Sequence, residues 1–286
     1  MYFIQVYVVY FSDISHLCPP PPLPLSLQLT AQFETWASQD SVRNFWGVTE
    51  DQDYNPNCAS KTSVSKQQMY LSTCYPNGNA KEKKGWGWFC AQRRPGHALG
   101  WLQHMYQDPA NIPDMLMIVD DDTAVDIELA NRQMTMVQDS QINSHSPFVG
   151  NTCVVGTSMH GGSGTFFNRA AIEGMTRPIF CDYRQQENMN FVCNKLQALS
   201  FGSHLFNQGD SVFDIFYKYS ATRHFCQASD WVNAHMINTY SENGLSQFGT
   251  CSRGGRHGGP CDSESIACHF QTTFEHMAAF HSAHQK

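Results

Sequence analysis

DMLMIVDDDTAV, residues 114 to 125, decides how this chain folds. Its apolar run MLMIV suits a strand covered by helices on both faces, because such a strand hides every side chain whichever way it points. The run ends in three adjacent carboxylates, Asp120, Asp121 and Asp122, with no lysine or arginine among them. Carboxylates held this close repel one another unless a cation or ample water lies between them. In an extended chain, alternate side chains share a face, so Asp120 and Asp122 are expected to project together and Asp121 away from them. At the carboxyl end of a strand, that pair faces the crevice where α/β proteins hold ligands. Carboxylate oxygens suit hard divalent ions such as Mn²⁺ or Mg²⁺, which keep positions open for phosphate oxygens. Helix capping would use one aspartate, and a calcium loop of the EF-hand type would need a glycine and a late glutamate that are absent.

Outward from this stretch the chain alternates strand and helix patterns, which argues for a three-layer α/β domain. Upstream, TAQFETWASQD places Phe33, Trp36 and Ala37 at helical spacing, and SVRNFWGV reads as a strand. A helix is expected around Leu99, Leu102 and Met105, with Pro95 near its start, where proline is tolerated. Downstream, PFVGNTCVV and GTFFN read as strands, followed by a helix from Arg169 to about Met175. The glycine-rich residues 241–262 read as a loop, SIACHF as a short strand and QTTFEHMAAFH as a last helix. The apolar start MYFIQVYVVYF is too short to span a bilayer, and a proline-rich stretch follows it. Residues 1–30 are therefore expected to form an extension outside the packed core, with residues 31–286 as the domain.

With 286 residues the chain can bury a large core. Its net charge of −7 and the lack of a basic stripe argue against nucleic acid as a partner. An anionic small substrate would need a metal as its counter-charge. Eleven cysteines without a CxxC pair fit a disulfide-bearing protein of the secretory pathway. Between Cys251 and His269 a Cys251–Cys261 disulfide is the plain expectation, and a zinc site the alternative.

Four blocks, in order, carry a resemblance to a known family. MLMIVDDDTAV resembles the Asp-x-Asp motif of GT-A fold glycosyltransferases, and HGGSGTFFNRAA, residues 160–171, resembles the Gly-Gly-Ala-Gly block of the Fringe and core-1 β-1,3-galactosyltransferase group. CQASDWVNAHM, residues 226–236, resembles that group's Cys-x-x-Asp-Asp block, with Asp230 in the place of the base. SIACHFQTTFEHM resembles the strand whose histidine binds the metal, here His269. The resemblance implies a GT-A (Rossmann-like) α/β/α domain with a mixed central sheet, resident in the Golgi or another secretory-pathway lumen. It implies Asp122, Asp120 and His269 as ligands of Mn²⁺ or Mg²⁺. Asp120, Asp121, Gly161, Gly162 and Gly164 would contact the UDP-sugar donor, and a glycan or glycoprotein hydroxyl would be the acceptor. The implied reaction inverts the anomeric carbon, with Asp230 as base and Asp210 as second candidate.

Two other functions compete. Ala234 replaces the family's usual glycine, and no first nucleotide-binding strand is recognisable upstream of Thr30, which points to a secreted sugar- or metal-binding domain without turnover. Gly209, Asp210 and Ser211 match the nucleophile block of GDSL-type ester hydrolases, although no Asp-x-x-His follows near the C-terminus.

Overall fold

Six strands from separate parts of the chain meet in one mixed sheet. It is seen in a computed structural model that describes residues 4–9, 32–37, 39, 42–48, 94–120, 122–140, 146–184, 190–198, 203–220, 229–253, 261–262, 264–269 and 274–284. The sheet runs in the order β2 (Val42–Val48), β1 (Ile4–Val9), β3 (Met115–Asp120), β8 (Thr165–Asn168), β5 (Val149–Asn151), β9 (Leu245–Gln247). β1 is parallel to both β2 and β3, β8 is antiparallel to β3 and β5, and β9 is parallel to β5.

Two departures from the sequence reading follow. Residues 1–30 do not all stand outside the core, because Ile4–Val9 fill the sheet between β2 and β3. A strand as apolar as β3 needs its backbone paired on both edges, and the β-branched run IQVYVV supplies the second edge. The glycine-rich 241–262 region likewise contributes β9 to the sheet's far edge, where only three residues pair.

Alternation along β3 sorts its side chains into two cores. Met115, Met117 and Val119 pack with Trp36 and Phe166, and with Ile127, Ala130 and Met134 of helix α2 (Ile127–Ser140). Leu116 and Ile118 face the other way. They join Leu99 and Leu102 of α1 (Arg94–Met105), Ile172 of α3 (Arg169–Thr176) and Phe213 of α5 (Val212–Ser220). The same core takes in α4 (Phe191–Ala198) and α6 (Ser229–Tyr240). Helices therefore cover both faces, as the mixed α/β reading requires. Full burial of each large apolar side chain contributes about 1.5–3 kcal/mol, and Phe166, Phe167, Phe213 and Trp36 are among those wholly buried.

The turn from β8 into α3 is set locally. The Asn168 carboxamide oxygen accepts the backbone N–H of Ala171 and caps the helix, and it also accepts from Phe148 N on the neighbouring strand. Residues 54–87, whose polar, cysteine-flanked sequence reads as a loop, lie outside the described residues. No helix among the described residues is long and apolar enough to cross a membrane.

A second, small sheet matters more for the site. β11 (Ala267–His269) pairs in parallel with β10 (Ser252–Arg253) and antiparallel with β4 (Ala124–Val125), which begins two residues after Asp122. The last helix, α7 (Phe274–His284), packs against β4.

Candidate metal centre

At the carboxyl end of β3 the chain turns sharply, with Thr123 N–H donating to the carbonyl of Asp120 at 3.2 Å. Strand alternation is thus not what aligns the two acids: β3 stops at Asp120, and the turn brings Asp122 round to the same side. The side chain of Asp121 lies outside the described residues.

His269 reaches this turn through β11. Cys268 is registered opposite Ala124, and Asp126 N–H donates to Ile266 O at 2.8 Å, so the end of β11 lies beside the acids. His269 Nε2 stands 3.1 Å from Asp122 Oδ1 and 3.6 Å from Asp120 Oδ2, and all three side chains are 16–19 % exposed. Each offers one donor atom, and these atoms lie within 4.8 Å of one another. Ligands about 2.1 Å from one ion and at right angles to each other stand about 3 Å apart, a spacing that the His269–Asp122 pair meets and the His269–Asp120 pair exceeds. Two carboxylate oxygens and one imidazole nitrogen form a donor set suited to Mn²⁺, and the oxygens also to Mg²⁺.

The glycine block forms the wall behind the imidazole. Gly161–Ser163 make a short helical turn packed against both β3 and β11, and Thr123 Oγ1 donates to the carbonyl of Gly162. A Cβ on Gly162 would lie 2.2 Å from His269 Nε2, which leaves glycine as the residue that fits. Gly164 has φ +89°, a conformation that L side chains rarely adopt. Ser163, where the resembled family has alanine, is wholly buried, and its hydroxyl has no hydrogen-bond partner among the described residues. Gly162→Ala is expected to push His269 off the acids and weaken Mn²⁺ binding about 10- to 100-fold, the scale seen for groups that orient metal ligands. Calorimetric titration with Mn²⁺ checks this, and an unchanged Kd would mean that His269 is not a ligand.

Asp230 does not join the cluster of three. It stands, partly buried, in the first turn of α6, the helix packed against Gly161–Ser163 and against β7 (Ser158–Met159), the partner of β6 (Val154–Val155). Ala234, four residues on, is wholly buried in the core, so a methyl is accommodated there.

The competing sites do not form. Ser211 is wholly buried, and its Oγ donates to Asp214 Oδ2 at 2.9 Å. The same carboxylate oxygen accepts Ser211 N–H at 2.8 Å, while Asp214 N–H donates to Ser211 Oγ. This reciprocal pair is a helix-opening box for α5 and not a hydrolase nucleophile. Asp210 accepts from Asn207 N–H and from the Lys218 ammonium, so its carboxylate braces a turn, and it is set aside as a base. The expected Cys251–Cys261 bond is replaced by Cys153–Cys251 and Cys261–Cys268, because β11 carries Cys268 to Cys261 while Cys251 lies against Cys153. With those thiols bonded, zinc has no thiolate there. Cys181–Cys193 makes a third bond among the described residues, and these three disulfides fit an oxidising compartment such as a secretory lumen.

A cavity of about 360 Å³ lies between Met175, Arg177, Phe191 and Tyr240, at the end of the sheet away from the acids, and none of the three metal-binding candidates lines it. Burial pushes the Tyr240 phenol up to about 12, so it stays neutral.

Sequence legibility here was uneven. Asp120, Asp122 and His269 are brought together as expected, and Gly162, expected as a donor contact, backs the imidazole. Gln32 and Thr123 went unremarked, since neither belongs to a motif and their roles come from contacts made on folding. The chain matches no protein-family model and no curated protein.

Proposed function

We propose that the chain is a metal-dependent inverting glycosyltransferase of the Fringe and core-1 β-1,3-galactosyltransferase type with a GT-A domain. It would move a galactose- or N-acetylglucosamine-type sugar from a UDP-sugar to a hydroxyl of a glycan or glycoprotein in the Golgi lumen, with a β-1,3 linkage. The observation that carries the proposal is the meeting of Asp120, Asp122 and His269, from two distant segments, at the carboxyl end of β3. Mn²⁺ or Mg²⁺ bound there supplies Lewis-acid neutralisation of the charge that gathers on the departing diphosphate.

The chain's own residues divide the rest. Asp122, Asp120 and His269 would hold the ion, and the resemblance assigns Asp120 and Asp121 to the UDP-sugar donor. The resemblance assigns Gly161, Gly162 and Gly164 to the donor sugar, and Gly162 and Gly164 stand buried beside the centre, where no side chain intervenes. Asp230 takes the proton of the attacking hydroxyl on the face opposite the leaving group, which gives inversion. Disulfides suit the lumen in which such donors are used.

The test is a thermal-shift series with UDP-galactose, UDP-N-acetylglucosamine and UDP, each with and without Mn²⁺. A ligand at 100 times its Kd stabilises the folded chain by about 2.7 kcal/mol, so a rise of several degrees is expected with nucleotide and metal together. No rise in any combination would overturn the reading. A binding domain without turnover would show the shift but no slow Mn²⁺-dependent hydrolysis of the UDP-sugar when acceptor is withheld.

A further inference from the structure

We infer that Gln32 is a positioning residue that sets the metal affinity of the acidic turn, an inference that rests on the metal-site reading above. Its side-chain nitrogen donates to two main-chain oxygens of that turn, Asp120 O at 2.8 Å and Thr123 O at 2.9 Å. These carbonyls mark the two ends of the turn that holds Asp122. A carboxamide nitrogen has two N–H groups, one for each carbonyl, and no other uncharged side chain of that length can offer the pair. The orientation of the amide follows from the chemistry, because its oxygen in that place would face two other oxygens.

Gln32 is wholly buried, and it reaches the turn from 88 and 91 residues upstream. It sits just before the short helix Phe33–Ala37, which is anchored by the wholly buried Trp36. Gln32 fixes the main chain that carries the carboxylates, and its two side-chain hydrogen bonds go to carbonyl oxygens and not to the three donor atoms. On the other side, Thr123 Oγ1 ties the turn to Gly162, which backs the His269 imidazole. The turn is therefore clamped from both flanks. Two like charges held 3.1 and 3.6 Å from one imidazole nitrogen push each other apart. Gln32 opposes that drift by fixing the backbone between them. Without its two N–H groups both carbonyls lose that bond and Asp120 O keeps the Thr123 N–H, so the brace across the turn is gone, the turn relaxes, and the spacing that suits an ion is lost.

The test uses the full chain with Gln32→Met, which keeps length and apolar bulk but has no donor, beside Trp36→Phe, which loosens the same short helix but leaves both Gln32 N–H groups in place. Mn²⁺ affinity is measured by calorimetry with folding checked by circular dichroism, and amide exchange at Thr123 is followed without metal. The expected result is a Kd for Mn²⁺ raised about 10- to 100-fold in Gln32→Met, little change in Trp36→Phe, and faster exchange at Thr123 only in Gln32→Met. An unchanged Kd in Gln32→Met, an equal rise in both variants, or unaltered Thr123 exchange would overturn the inference while leaving the metal site standing. No Mn²⁺ uptake by the wild-type chain would instead bring down the metal reading itself.

Discussion

Asp122→Ala abolishes metal-dependent UDP-sugar binding, and transfer with it. Asp122 Oδ1 is the carboxylate oxygen nearer to His269 Nε2, at 3.1 Å against 3.6 Å for Asp120. Its loss leaves one carboxylate and one imidazole, a set too weak to hold a hard ion against water. Changing a group that merely orients a ligand costs about 10- to 100-fold in affinity, so removing a ligand is expected to exceed that range. Stability without metal should change little, because Asp122 is partly exposed and its removal also relieves repulsion with Asp120. The measurement is the Mn²⁺-dependent shift in Tm with UDP. A variant that keeps the wild-type shift would show that the acids serve another purpose, such as a plain ion pair with a protonated His269.

The second large effect separates chemistry from binding. Asp230→Ala is expected to leave UDP-sugar and Mn²⁺ affinity intact while transfer falls about 10²- to 10⁴-fold, the usual contribution of a positioned general base. Asp230 also stands in the first turn of α6, where a negative charge stabilises a helix by about 0.3–1 kcal/mol. Asp230→Asn guards against confusing the two roles, because the amide can still accept a hydrogen bond from the helix end but cannot take up a proton at neutral pH. Loss of transfer in both variants, with binding and Tm kept, assigns the base. Near-normal transfer in either would assign that role elsewhere.

Much of the fold could be read along the chain. The strands at 115–120 and 165–168 and the helices at 94–105, 169–176 and 274–284 were legible, because apolar periodicity and the placing of Pro95 are local signals. The first strand was hidden behind its setting: an apolar segment followed by a proline run reads as an extension, and only the vacant edge of β3 explains why it pairs. β9 escaped notice for the opposite reason, since three residues amid glycines carry almost no pattern. The Gly-Asp-Ser block shows the converse hazard. Gly209, Asp210 and Ser211 match a nucleophile motif in sequence, yet the hydroxyl's partner is the Asp214 carboxylate three residues on.

What the amino-acid order alone determined is the chemistry on offer. It holds an apolar strand that must be buried, three acids that need a counter-charge, glycines where no side chain fits, and a histidine in a short strand near the C-terminus. Which of these meet was decided by tertiary structure. The pairing of β11 with β4 sets His269 3.1 Å from Asp122, a turn after β3 gathers two acids where the strand itself has already ended, and disulfides join cysteines as far apart as 98 residues. The reason is physical: periodicity and propensity act over a few residues, whereas a metal site is a coincidence of distances. Such coincidences are set by how strands register and side chains pack, which no window of sequence contains.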